Sequence, residues 1–322
     1  MRFFTVMLFL VWTVLSAEPL ASWRDDSPTK AAIVSFVAAV TDEKSPDYIP
    51  PQNRIAVFDN DGTTWCESPL YFQLLFSMDR VRRLAARHPE WKEQQPFKAV
   101  LENDMTALKA EGKRGLLKVL AAAHEGLDAE AFAAEVRRWL ETAEHPRFHR
   151  PYRDLVYQPM LDLFRYLENH GFTVFIVSGG GIDFMRAYIP YRYAIPAWRV
   201  IGSYAKTVYR NGQVVQLPEQ IFFDNAENKP VAIYRQIGVR PVFAGGNSDG
   251  DIPMLEYADG RKGRSFELLV HHTDAKREYA YNRQGRVGRL DKGLDLARAR
   301  GWHLVDMAKE WKCVFAFEGT CR

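Results

Sequence analysis

The sequence of 322 residues carries little excess charge of either sign. Lys and Arg number 43 against 40 Asp and Glu, which gives a formal net charge of +3. The basic residues are dispersed among acidic ones, and no long basic run is present that would neutralise many phosphates of a nucleic acid. We therefore expect no nucleic-acid partner.

Long apolar runs are scarce as well. One apolar run covers residues 3–15, follows a single Arg and ends at Ser16 and Ala17. It is shorter than the roughly 20 residues that cross a bilayer, and this layout is typical of a signal peptide. We predict a signal peptide over residues 1–17, export to the periplasm or the medium, and no stable membrane insertion after cleavage. A membrane anchor is the alternative.

Cysteine is rare, and no C-x-x-C pair is present, so we expect no dedicated zinc site. Cys313 and Cys321 lie close together in the sequence, and an oxidising compartment would allow them to close a small loop. Two free thiols are the alternative, and Cys66 would be unpaired in either case. His271 and His272 are interpreted as a strand end or a surface feature.

Three apolar segments each end in a polar loop, and helical stretches lie between them. The segments and their loops are 54–58 with 59–64, 172–177 with 178–181, and 241–244 with 245–251. Strands that alternate with helices indicate a parallel sheet, whose ligands bind at the carboxyl ends of the strands. We predict an α/β fold with a Rossmann-like core, helices on both faces of the sheet, and all three loops at one edge.

About ninety residues separate the first two strands, far more than a normal connection between a strand and a helix needs. This segment has helical periodicity and few strand signals. We predict that residues 67–156 form an inserted all-α cap, so that the core comprises 18–66 and 157–322. A β-hairpin with an Asn-Gly turn is expected over 204–217, beside the core sheet. Cap helices are predicted at 70–87, 96–111 and 129–142.

Asp59 and Asp61 follow the first buried strand, where two carboxylates are costly unless a cation lies beside them. A divalent metal is the natural partner, and a carboxylate beside it can attack phosphorus to give an acyl phosphate that water later cleaves. Asp61 can protonate the leaving oxygen and then take a proton from water. For this segment alone, an Asx-rich turn that caps a helix is the alternative.

The other loops offer further groups for a phosphate site. Ser178 and the amide of Gly179 can hold a phosphoryl oxygen, and Thr63 can shape the first loop around it. The alternative for Ser178 is a helix N-cap. Lys229 would stabilise the phosphoryl oxygens, or is a solvated surface lysine. The third loop offers oxygen ligands for a metal, or forms a polar turn; these residues are Asn247, Asp249 and Asp251.

Together these segments resemble the haloacid dehalogenase superfamily, specifically its phosphoserine-phosphatase-like branch, over nearly the whole mature chain. The matching motifs, in order, are V-F-D-N-D-G-T-T, I-V-S-G-G, N-K-P and A-G-G-N-S-D-G-D-I-P-M-L. The resemblance implies that Asp59 is the nucleophile and Asp61 the acid/base. It also implies phosphate contacts from Ser178 and Lys229, and a helical cap over the site. Mg²⁺ would be held by the Asp59 side chain and the Asp61 backbone carbonyl.

One position departs from the motifs. Asn247 stands where many relatives have an acidic magnesium ligand, although its amide oxygen can still coordinate the ion. The loss of a negative charge should weaken magnesium binding, so Asp251 is expected to take a larger share in holding Mg²⁺ and its waters, and Asp249 is the alternative. The predicted metal ligands are Asp59, Asp61, Asn247 and Asp251.

The sequence therefore predicts an exported, magnesium-dependent phosphatase that hydrolyses small phosphate monoesters, phosphoserine-like or of broad range, through an aspartyl-phosphate. Asp61 disfavours a dehalogenase, which has no alkoxide to protonate. A phosphotransferase or mutase would use the same two carboxylates. A secreted protein that binds phospho-ligands without turnover is the alternative from another class, motivated by Asn247. The intact Asp59 and Asp61 favour the enzyme, and substrate choice is expected to depend on the cap.

Overall fold

A single mixed sheet forms the centre of the protein. The computed structural model describes residues 20–319 and 321, so the signal peptide predicted over residues 1–17 lies outside the described residues. Seven strands are present in the described part, in the order β4-β3-β2-β1-β5-β6-β7. Their bounds are β1 Ile55–Phe58, β2 Thr173–Gly181, β3 Val200–Arg210, β4 Gln213–Phe222, β5 Phe243–Gly246, β6 Phe266–His271 and β7 His303–Asp306. All neighbouring strands are parallel except the antiparallel pair β3–β4.

Helices connect the strands and build the layers around the sheet. They are α1 Pro28–Thr41, α2 Phe72–Leu84, α3 Phe97–Glu102, α4 Met105–Ala110, α5 Gly112–Ala122, α6 Ala129–Thr142, α7 Gln158–Asn169, α8 Ile182–Arg186, α9 Ile189–Arg192, α10 Asn228–Gln236, α11 Ile252–Asp259, α12 Lys292–Arg300 and α13 Met307–Glu310. None of these helices is both long enough and apolar enough to cross a membrane.

The central strands are buried on both faces. Side chains alternate along a strand, so Ala56 and Phe58 of β1 pack into one apolar cluster with α1 and α7. Ile55 and Val57 pack into a second cluster with α10, α11 and α12 on the opposite face. This double burial explains why the strand reads as an uninterrupted apolar run. The predicted α/β core with helices on both faces is confirmed.

The position of β1 brings the three polar loops together. β1 pairs with β2 on one side and with β5 on the other, and Phe58 stands opposite both Ile176 and Gly245. The loops that follow these strands therefore begin at the same edge of the sheet. This is the edge at which open parallel sheets bind their ligands.

Helices α2 to α6 lie within the segment predicted as the cap, and the described residues of that segment form no strand of the sheet. Met78, Val81 and Trp91 belong to an apolar cluster separate from the two clusters of the core. The chain leaves and re-enters the core through adjacent residues. The Cys66 amide donates to the Leu155 carbonyl at 3.0 Å, and the Tyr157 amide donates to the Thr64 carbonyl at 2.9 Å.

The β3–β4 hairpin is longer than the 204–217 predicted from the sequence. Asn211 and Gly212 form its turn with φ of 49° and 84°, as a two-residue hairpin turn requires. The first part of β3 also pairs in parallel with β2, with Val200 opposite Ile176. The hairpin therefore extends the core sheet, and β4 is its edge strand.

The beginning and the end of the described chain pack together. The Lys312 amide donates to the Ser22 carbonyl at 2.8 Å, and the rings of Trp23 and Trp311 lie edge to face with centroids 6.0 Å apart. A disulfide joins Cys313 and Cys321, the two cysteines that were expected to close a small loop in an oxidising compartment. Cys66 is a buried free thiol.

Candidate active site

Lys229 lies between two carboxylates at the carboxyl edge of the sheet. Its Nζ lies 2.6 Å from Asp59 Oδ1 and 2.6 Å from Asp251 Oδ1, and it also donates to the Val177 carbonyl at 3.0 Å. These contacts use all three ammonium donors. The side chain is 1% exposed, so Lys229 is not the solvated lysine that the sequence left open.

Opposite charges keep this buried group ionised. Burial alone would lower the pKa of Lys229, but the ion pairs with Asp251 and Asp59 outweigh it and raise that pKa above its ordinary value. Burial raises the pKa of Asp59, while Lys229 opposes the shift. The fixed positive charge therefore lies beside the carboxylate that the sequence indicates as the nucleophile.

Asp61 has a different environment, although it is only two residues away. Its Oδ1 accepts a hydrogen bond from Trp65 Nε1 at 2.7 Å. Burial raises the pKa of Asp61 to about 6, against the lowering effect of Trp65. A carboxyl group with this pKa can both give and take a proton near neutral pH, as a general acid and base must.

The second loop contributes Ser178, which is buried within β2 and does not cap a helix. Its Oγ accepts a hydrogen bond from the Gly180 amide at 3.2 Å. The Gly181 amide donates to Oε1 of Gln73 at 2.7 Å, so a side chain of cap helix α2 holds the end of this loop. Helix α2 of the predicted cap and the predicted phosphate loop are therefore connected directly.

The three candidate metal ligands of the third loop, Asn247, Asp249 and Asp251, contact different partners. Asp249 Oδ1 accepts from the backbone amides of Asp291 and Gly293, both at 2.9 Å, which directs this carboxylate toward the start of α12. Oδ2 of Asp251 accepts from the backbone amides of Asn247 and Ser248, each at 3.0 Å. Asp251 thus contacts both Lys229 and the loop backbone.

Asn247 contacts the first loop through both ends of its amide. Thr63 Oγ1 donates to Asn247 Oδ1 at 3.0 Å, and Asn247 Nδ2 donates to Glu67 Oε1 at 2.7 Å. Glu67 also accepts from the Tyr281 hydroxyl at 2.6 Å, and burial raises the pKa of Glu67 well above its ordinary value. In this structure the Thr63 hydroxyl donates to Asn247, so the predicted contact of Thr63 with phosphate stays a prediction.

Glu67 was not singled out by the sequence reasoning, and neither was the support behind the first loop. His272 is 2% exposed, so its interpretation as a surface feature is wrong, whereas His271 does end β6. His272 Nε2 donates to the Gly62 carbonyl at 2.7 Å, and its Nδ1 lies 3.1 Å from Glu278 Oε2. Gly62 has a φ of 75°, so this contact fixes the first loop at a turn that favours glycine.

These groups open into one cavity of about 160 Å³. The residues of the four motifs that line it are Asp59, Asp61, Ser178, Gly179, Gly180, Lys229, Ser248 and Asp251. The segment predicted as the cap supplies Glu67, Tyr71, Gln73, Leu74, Leu116 and Leu120, and Phe223 and Asn225 also line the cavity. Of the predicted catalytic and phosphate-binding residues, Asp59, Asp61, Ser178, Gly179 and Lys229 share this cavity.

The donor set fits Mg²⁺ in its chemistry. Mg²⁺ takes hard oxygen ligands, keeps several waters and needs only one or two carboxylates. The predicted ligands offer a carboxylate from Asp59, a backbone carbonyl from Asp61, the amide oxygen of Asn247 and a carboxylate from Asp251. Within residues 20–319 and 321, no three His, Cys, Asp or Glu side chains form a ready metal cluster. Magnesium binding accordingly stays a prediction.

The four loops fall within one matched segment. The profile of haloacid dehalogenase-like hydrolases matches residues 56–256, which contain Asp59, Ser178, Lys229 and Asp251. The chain belongs to this family. No curated protein matches the sequence.

Solved structures are similar to this haloacid dehalogenase-like hydrolase at low identity. A functionally unknown protein from Anaerococcus prevotii is 17% identical with a TM-score of 0.53, over 76% of this chain and 86% of that protein. A protein of unknown function from Bordetella pertussis is 19% identical with a TM-score of 0.48, over 79% and 99%. A phosphoserine phosphohydrolase-like protein from Francisella tularensis is 15% identical with a TM-score of 0.40, over 79% and 94%. The Anaerococcus structure supports the fold and nothing finer.

Proposed function

We propose that this haloacid dehalogenase-like hydrolase is an exported, magnesium-dependent phosphatase that hydrolyses phosphate monoesters through an aspartyl-phosphate on Asp59. The observation that carries the proposal is the shared cavity of Asp59 and Asp61 with Lys229 and Ser178. It combines a nucleophile, a proton donor, a fixed cation and a hydroxyl donor, which are the groups that phosphoryl transfer needs.

In the first step, Asp59 attacks phosphorus and forms a bond to it while the bond to the leaving oxygen breaks. Lys229 holds Oδ1, so we assign the attack to Oδ2. Asp61 gives its proton to the leaving oxygen, and Lys229 and Ser178 stabilise the charge on the phosphoryl oxygens. The products are an alcohol and a phosphorylated Asp59.

In the second step, water attacks the phosphorylated Asp59 and releases inorganic phosphate. Asp61, now ionised, takes the proton of that water and so returns to its first state. Mg²⁺, when bound, supplies positive charge that neutralises the phosphoryl oxygens. Asp59, the Asp61 carbonyl and Asn247 would hold the ion, with Asp251 supporting it.

Two features support export. The apolar run over residues 3–15 has the layout of a signal peptide, and the disulfide between Cys313 and Cys321 is typical of an oxidising compartment. We place the mature protein in the periplasm or the medium. The four motifs resemble the phosphoserine-phosphatase-like branch, so phosphoserine-like esters and a broad range of small phosphate monoesters are the substrates we propose.

The proposal is tested with purified mature protein and p-nitrophenyl phosphate, with and without Mg²⁺, beside Asp59→Asn prepared identically. We expect turnover that requires Mg²⁺ and that Asp59→Asn abolishes. Asp61→Asn is a matched change of the neighbouring acid, and it should slow both steps while Asp59 can still be phosphorylated. Calorimetric binding of phosphate without any turnover by the wild type would instead support the non-catalytic binding protein.

A further inference from the structure

Two further cavities adjoin the catalytic cavity in series through shared lining residues. The catalytic cavity shares Gln73, Leu120, Gly179 and Phe223 with a second cavity of about 60 Å³. That cavity shares Leu117, Ala121, Pro218 and Gln220 with an outer opening of about 470 Å³. The shared residues come chiefly from helix α5 and strand β4. We call this series of three adjoining cavities, from the one at Asp59 to the one at the surface, the α5–β4 groove.

The outer end of the α5–β4 groove is basic. Lys113, Arg114 and Lys118 line the outer opening, and all three are exposed. In the described part of the chain, none of them forms an ion pair with an acidic side chain. Lys113 Nζ lies 4.3 Å from the centroid of the Phe223 ring, and Phe223 lines the catalytic cavity. A positive charge therefore lies at the mouth of the active site.

Among the described residues, no Lys or Arg side chain lines the middle cavity of the α5–β4 groove. Leu117, Leu120 and Ala121 form an apolar wall, and Gln216 and Gln220 add neutral amide groups. Asp183 and His124 also line this cavity; burial raises the pKa of Asp183 and lowers the pKa of His124 to about 3, so it disfavours the charged form of both. A molecule that fits the groove has a phosphoryl group at the inner end, an uncharged middle part and an anionic group at the outer end. A substrate that ends at the leaving oxygen would leave the three cations without a ligand.

We propose that the preferred substrates are phosphate monoesters with a second anionic group on the leaving part, bound by Lys113, Arg114 and Lys118. This inference rests on the proposed phosphatase function and specifies its substrate class. Charge complementarity supports it, because among the described residues the three cations form no ion pair with an acidic side chain, and they line the outermost of the three adjoining cavities. Cations of this kind act on substrate capture and selection.

The test uses alkyl phosphates of equal chain length that differ only at the far end, which carries a methyl, a phosphate, a carboxylate or an ammonium group. For chains long enough to span the α5–β4 groove, we expect kcat/KM to rank phosphate first, then carboxylate, methyl and ammonium. At low salt, kcat/KM for the bisphosphate should exceed kcat/KM for the methyl compound roughly five- to twentyfold. This ratio is taken after correction for the statistical factor of two equivalent phosphates. The gain should shrink as the salt concentration rises.

A triple variant, Lys113→Gln, Arg114→Gln and Lys118→Gln, should remove the ranking. The matched control replaces three exposed cations outside the groove, Lys92→Gln, Arg235→Gln and Lys262→Gln, and should keep it. Turnover of the methyl compound without any preference for an anionic end, or a ranking that survives in the groove variant, overturns the inference and leaves the phosphatase standing. Failure of the wild type to hydrolyse any of the four compounds overturns both proposals.

Discussion

At the scale of single residues, Asn247 is held by a donor on one side and an acceptor on the other. Thr63 donates to its Oδ1, and its Nδ2 donates to Glu67. In Asn247→Asp, two carboxyl groups would face each other in a buried site, and the amide donor to Glu67 would be lost. Without metal, we expect the free energy of unfolding to fall by roughly 2–4 kcal/mol, and Mg²⁺ to restore part of it. Thermal unfolding with and without Mg²⁺ measures both effects.

The double variant Asn247→Asp with Glu67→Gln is the control for this prediction, because it restores a donor between the two side chains. It should recover most of the lost stability in the absence of metal. An Asn247→Asp protein that unfolds at the wild-type temperature without Mg²⁺ would show that the contact between Asn247 and Glu67 carries no such energy.

Asp224 makes stability depend on pH. It is fully buried, neither carboxylate oxygen has a hydrogen-bond partner in the described part of the chain, and burial raises its pKa from 3.8 to about 7 despite the opposing charge of Lys229. The folded state therefore holds a proton that the unfolded state loses between these values. Stability should fall as pH rises through this window and stay lower above it.

Asp224→Asn should remove this dependence, because the amide cannot ionise. We expect its free energy of unfolding to exceed that of the wild type by roughly 2–4 kcal/mol at pH 8, with a much smaller difference at pH 4. Urea unfolding at the two pH values measures this. Asp26→Asn, at an exposed position, is the control. An unchanged pH slope in Asp224→Asn would contradict the assignment.

The sequence placed Asp59, Asp61, Ser178 and Lys229 at one site because each stands in a short motif after a strand or before a helix. It gave no such signal for Glu67 or His272. Each forms a hydrogen bond with a residue more than 170 positions away in the sequence: Glu67 with Asn247, and His272 with Gly62. Contacts of this kind arise from the packing of the whole chain, so neither local spacing nor residue type reveals them.

At the scale of elements, Gly202 sets the distance between β3 and the phosphate loop. A Cβ at this position would meet the Met185 methyl and would lie 2.7 Å from the Gly180 carbonyl oxygen, so the backbone would have to move. We expect Gly202→Ala to lower the free energy of unfolding by roughly 1–3 kcal/mol. Gly179→Ala is the matched control, since its Cβ would have 3.6 Å to the nearest atoms. Equal losses in the two variants would contradict this reason.

In the segment predicted as the cap, local sequence patterns predict some helices correctly and miss others. Helix α6 spans 129–142 as predicted. The helix predicted at 96–111 is divided, because Asn103 adopts a left-handed φ of 58° and Asp104 caps a new helix by accepting from two backbone amides. Helix α5 was not predicted, since Gly112 and Gly115 lower its helix propensity. Helix α5 packs against α2 and β4, and these contacts stabilise it despite its low helix propensity.

At the scale of the whole molecule, the disulfide closes a loop within the C-terminal segment, which packs against the first described residues. Cys313 and Cys321 are 8 residues apart, and loop-closure entropy for such a short loop amounts to about 2–3 kcal/mol. We expect Cys321→Ser to lower the free energy of unfolding by that amount. Urea unfolding with and without a thiol reductant measures it. The reductant should lower the wild-type midpoint and leave the variant unchanged, and a wild type indifferent to reduction would contradict the prediction.

The paired entry and exit of the cap also bear on how such a protein can change during evolution. Cys66 and Leu155 are hydrogen-bonded neighbours, as are Thr64 and Tyr157, so the ends of the insertion already stand side by side. A different helical unit can be joined at this point without a long linker. On the proposed function, exchange of this segment would alter which molecules reach Asp59 and would leave the carboxylates of the core loops unchanged.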